Sequence, residues 1–142
     1  MKQLVVLFFL ILAAGTGNRM MAQCNSKVVL TASKTVYLDS ANKEVRSVDE
    51  VSTIVIDSSG IAITPGNGNL MKGKVTMVEC KWTVPYKEGK SIMKALLTDG
   101  GDEERAVTMT IESKSGTTTF LIAIDNDPNK KIRLVADKFS SK

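Results

Sequence analysis

Six carboxylates in two turn-like segments are the residues of this chain best placed to do chemistry. The run Asp99-Gly100-Gly101-Asp102-Glu103-Glu104 supplies Asp99, Asp102, Glu103 and Glu104, and Asp125-Asn126-Asp127-Pro128-Asn129 adds Asp125 and Asp127. Such runs offer oxygen ligands to calcium, although the spacing departs from the Asp-x-Asp-x-Asp-Gly loop. The competing reading is a pair of solvated hairpins whose Asp and Gly serve the turns. Carboxylate pairs also hydrolyse glycosides, but no local signature supports that reaction here.

Other chemistries lack their residues. The chain has no histidine, which removes the commonest general base, the commonest metal ligand and any Ser-His or Cys-His pair. It has no Gly-x-Ser-x-Gly and no glycine-rich phosphate loop running from a strand into a helix. These absences point away from an enzyme and from a bound cofactor. Two cysteines, Cys24 and Cys80, cannot by themselves build a zinc site. They have three readings: a disulfide to each other, two free thiols, or a lipid on Cys24. Lipid attachment asks for a small residue just before the cysteine, and Gln23 stands there. Trp82 with Tyr86 has two readings as well, a carbohydrate or ligand platform and a packed core position in phase with Val78 and Val84.

Residues 1–22 read as an export signal. Lys2 is a small positive n-region, 4–14 is an unbroken apolar run too short to span a bilayer, and Met21-Ala22-Gln23 offers cleavage after Ala22. The expected mature chain is 23–142, one domain, secreted or periplasmic, in an oxidising environment that permits disulfides. Lys2 and Arg19 leave with the signal, so 17 basic residues face 15 acidic ones. No basic stripe interleaved with aromatics appears, which argues against nucleic acid as a partner. No second apolar stretch follows, so the mature chain is not expected to span a membrane.

The elements that must position these residues are short strands. From Val28 onward Val, Ile, Thr and Leu dominate, in alternating segments divided by turn residues. Strands are expected at about 28–38, 52–57, 61–63, 74–84, 91–98, 105–112, 118–124 and 132–139. Val78, Cys80, Trp82 and Val84 share a phase, as do Val107, Met109 and Ile111; Met77, Met93 and Met109 read as core filler. Asp57-Ser58-Ser59-Gly60 and Ser113-Lys114-Ser115-Gly116 are hairpin signals. The result is an all-β, eight-stranded antiparallel up-and-down meander, preferred as a closed barrel over a two-sheet sandwich, because closure removes edge strands.

In a meander, alternate loops fall at the same end. Segments 39–50, 65–73, 99–104 and 125–131 gather at one end with all six carboxylates, partly offset by Lys43, Arg46, Lys72, Lys130 and Lys131. Tight hairpins close the other end. The long-loop end is therefore where a ligand, a partner or a divalent cation is expected.

The strand count, the long first connection at 39–50 and the short later hairpins resemble small lipocalin-like, calycin-type barrels. The lipocalin Gly-x-Trp has no counterpart, since Ser26-Lys27-Val28 stands at that place and the only tryptophan is Trp82. The Met-Ala-Gln leader ending and the Asp-Lys-Phe near the close also resemble short secreted proteins of Bacteroidota-type bacteria, a resemblance that brings no activity with it. The expected function is a non-catalytic interaction or binding module, engaging a macromolecule or a small apolar ligand. The alternative is a lipocalin-like carrier, which requires a hollow interior.

Overall fold

The computed structural model describes residues 26–142; the expected signal at 1–22 and Cys24 lie outside the described residues. Nine strands follow in order: β1 (Val28–Leu38), β2 (Glu44–Asp57), β3 (Gly60–Thr64), β4 (Met71–Val84), β5 (Glu88–Thr98), β6 (Arg105–Lys114), β7 (Thr117–Ile124), β8 (Asp127–Val135) and β9 (Lys138–Ser141). Each of the first seven pairs antiparallel with the next, and β8 returns to β1, with Thr35 opposite Leu134 and Leu38 opposite Lys131. The eight strands close into an up-and-down barrel, and the sandwich alternative falls away. β9 lies along the start of β1 in the same register as β8, with Val28 opposite Ser141. It continues β8 after a break at Ala136 and Asp137, whose amides turn to the carbonyls of Thr118 and Thr31, both at 2.8 Å.

Alternation builds the wall and the core together. Along β6, Val107, Met109 and Ile111 are buried while Ala106, Thr108 and Thr110 between them are half-exposed. Along β5 the buried series is Ser91, Met93, Ala95 and Leu97. These side chains meet Leu30, Ile54, Phe120 and Leu134 from other strands in one continuous core. At Ser115 and Gly116 both φ angles are positive, which suits a two-residue turn whose twist matches its strands.

β4 and β5 each start three residues earlier than expected, the expected last strand at 132–139 is divided between β8 and β9, and the largest differences are at the starts of β2 and β8. β2 begins at Glu44, so the segment expected as a long connection is mostly strand, and only 39–43 turns. Asp39 makes that turn tight, its Oδ1 accepting the amides of Ala41 and Lys43 at 2.8 and 2.9 Å. Glu44 to Val51 hides no apolar series because the wall there rises past the packed core; Val45 is 68% exposed. β8 likewise starts at Asp127 rather than near 132.

β4 corrects two further expectations. It pairs with β3 only at Met71, Lys72 and Gly73, and among the described residues its later part pairs with β5 alone. One edge of the sheet therefore stays open despite closure. A bulge between Val75 and Met77 shifts the phase, leaving Met77 (45% exposed) and Val78 outside the core. Bulges at both ends of this overhang and the charged pair Glu79–Lys81, at 3.0 Å, blunt the edge against stray pairing. At Gly73 a methyl group would run into the Leu96 carbonyl, so only glycine lets β4 lie this close to β5.

Candidate functional site

The two ends of the barrel are built differently. The hairpin end is plugged by aromatics. Trp82 is buried there, its indole Nε1 donating to Ser91 Oγ at 2.8 Å, with Cys80 Sγ 3.5 Å from the same hydroxyl. The Tyr86 ring lies 4.9 Å from that of Trp82 and 5.8 Å from that of Phe139. Trp82 is thus a core residue and not a surface platform. Burial raises the titration of the Tyr86 hydroxyl above its ordinary value, and a hydrogen bond with the Ser26 side chain partly opposes this.

At the opposite end the core stops short. Met71, Leu97, Val107, Ile122, Ile124 and Ile132 form the wall of a cavity of about 420 Å³ that opens between the long connections. A recess of about 240 Å³ shares Tyr37, Met71, Asp99, Ile122 and Ile132 with it, so the two make one cup. Deeper in that recess the Thr35 and Ser52 hydroxyls lie 3.4 Å apart. A bulge between Ala32 and Lys34 supplies the phase change that brings Thr35 and Tyr37 to the cup. A volume of this size lies within the roughly 300–1,000 Å³ of small-molecule sites, which are mostly apolar with a few polar groups.

The six candidate carboxylates sit at this end but do different things. Asp99 lines the cup, and its Oδ1 also accepts the Gly101 amide at 3.3 Å. Glu103 stands on the rim, 3.7 Å from Arg105. Asp102 is exposed in the turn and is not part of the cup lining. Glu104 joins Glu103 and Asp127 around a smaller outer recess of about 240 Å³. Asp125 accepts the Thr108 hydroxyl at 2.7 Å. Asp127 takes Lys130 Nζ at 2.9 Å and the Asn129 amide at 3.3 Å, and the hydrogen bond from Lys130 holds its carboxyl below the ordinary range. Among the described residues no group of three or more Asp, Glu, Cys or His is arranged to hold a metal ion.

The rim also carries cations, which the sequence marked only as an offset to the carboxylates. Arg46 stacks on the Tyr37 ring, its guanidinium carbon 3.9 Å from the centroid. Lys131, opposite Leu38 in the β8–β1 ladder, donates to the Ser40 carbonyl at 3.1 Å and to Asn42 Oδ1 at 2.8 Å, joining β8 to the adjoining β1–β2 turn. A signal for such residues existed. Arg105 precedes Val107 by two positions, and Asp99 follows Leu97 by two, so each continues a buried alternating series into the mouth. No such signal marked Tyr37, because the bulge before it resets the phase.

Comparison with protein-family models, with curated proteins and with solved structures gave no match in any of the three.

Proposed function

We propose that this protein is an exported, non-catalytic binding barrel that takes a small apolar ligand into its open end. The observation that carries this is the contrast between the ends: aromatic packing at one, and at the other an apolar cup of about 420 Å³ open to solvent. A barrel built only as a surface module has no use for an unfilled interior, since each missing contact lowers its stability. Decanol, a neutral probe with an apolar tail, tests the reading by titration calorimetry. Saturable one-to-one binding with a negative heat-capacity change is expected. An Ile124→Trp variant, which fills the cup from its half-buried wall, should bind at least about tenfold more weakly, a loss of about 1.4 kcal/mol. Absence of saturable binding by the folded protein rejects the carrier and leaves a module that uses its outer surface, where Val51 on β2 and Val78 on β4 are exposed.

Export rests on the apolar run at 4–14 and on Ala22 before Gln23. Intact-mass analysis of exported material should find a chain starting at Gln23. A diacylglycerol mass on Cys24 would show a lipid-anchored protein instead.

A further inference from the structure

We propose that the ligand of the cup is an anionic amphiphile, with an apolar tail held between the strands and a carboxylate-like head at the rim. This rests on the binding-barrel reading above and adds the sign of the head group. The cup is bordered by four cations, Arg46, Arg105, Lys130 and Lys131, and by three acids, Asp99 and Glu103 at the mouth and Glu50 in the deeper recess. Arg105 is paired with Glu103 and Lys130 with Asp127, which leaves Arg46 and Lys131, among the described residues, as the rim cations outside an ion pair.

What distinguishes Arg46 and Lys131 is how they are held. Each is fixed by neutral groups, Arg46 by the Tyr37 ring and Lys131 by the Ser40 carbonyl and Asn42 Oδ1. Among the described residues neither has a carboxylate within ion-pair distance. Their charges are therefore positioned without being neutralised. An ammonium has three donors, and Lys131 spends two, so one remains; the stacked guanidinium keeps its edge donors. Held donors lose less conformational freedom when they bind an anion than free side chains do. Apolar walls beneath the rim concentrate the field of these charges at the mouth. The exposed rim keeps the head group wet, which limits the gain per contact.

A matched series of ten-carbon probes separates this claim from the reading beneath it. Decanoate, decanol and decylamine share a tail and differ in head group. Displacement of an uncharged solvatochromic dye from the full mature protein should rank decanoate first, about five- to tenfold tighter than decanol, with decylamine weakest. Raising the salt should shrink the decanoate advantage, because exposed charges are screened beyond about a Debye length. In the double variant Arg46→Gln with Lys131→Gln, the decanoate-to-decanol ratio should fall towards one. Decanol binding as tightly as decanoate, at low salt and in a saturable way, overturns the anionic head group while the binding barrel stands. Decylamine binding tightest overturns it too, and assigns the head group to Asp99 and Glu103. Failure of all three probes to bind removes the barrel reading itself.

Discussion

Single residues decide how firmly each end is set. Phe120 is fully buried where β6, β7 and β8 meet, and Phe120→Ala should cost about 3–5 kcal/mol in denaturant unfolding. At the plugged end, Tyr86 gives a pH prediction whose sign is fixed. Its hydroxyl titrates above the ordinary value because burial disfavours the phenolate, while the Ser26 hydrogen bond favours it. In a Tyr37→Phe background, absorbance titration should place Tyr86 above about 10, and Ser26→Ala should raise it further. The neutral hydroxyl's contribution to stability is complete below the unfolded value and is lost as pH rises through the folded one. A fall on Ser26→Ala would show that the serine does not stabilise the phenolate. Legibility at this scale followed alternation. Met93, Met109 and Phe120 lie on regular stretches and their burial could be read; Met77 and Val78 could not be placed, because a bulge is invisible to a period-two pattern.

At the scale of strands, the turns were legible and the lengths were not. Asp57-Ser58-Ser59-Gly60 and Ser115-Gly116 announce hairpins through residues that accept positive φ. The upper halves of β2 and β8 were hidden for a physical reason: strands that rise past a packed core need no apolar face, and their polar residues read as loop. Counting strands gathers the carboxylates at one end, but which of them face the cup depends on phases that only the structure resolves. Gly73 gives a test of strand approach. Gly73→Ala should destabilise by about 2 kcal/mol, since the new methyl meets the Leu96 carbonyl, backbone that cannot swing aside as the neighbouring Leu97 side chain can. A second test concerns the bond we propose between Cys24 and Cys80. Ser26, the first described residue, is held at Tyr86, whose ring packs on Trp82, and Cys80 shares the Ser91 hydroxyl with that tryptophan. The bond would close a long loop and stabilise by about 4 kcal/mol in the chain-entropy account. Thiol titration of exported, folded protein should find no free thiol; two would reject the bond.

For the molecule as a whole, the central claim is a division of labour along the barrel axis, with stability at the plugged end and binding at the open one. Closure lets the wall stay rigid while the connections at the mouth carry the variable chemistry. The hollow itself was not legible, because strand count admits both a filled barrel and an open one. Lys131, bonded to the adjoining β1–β2 turn, stiffens that side of the mouth, so ligand entry should leave the wall in place and move side chains on the rim. Amide and methyl chemical-shift mapping of the mature protein during titration with decanoate tests this claim most directly. The account predicts saturating shifts at Tyr37, Leu97, Ile122 and Ile132, with Ser58, Lys87 and Ser115 unmoved. Shifts confined to Ser58, Lys87 and Ser115, or none at saturating probe, would contradict it.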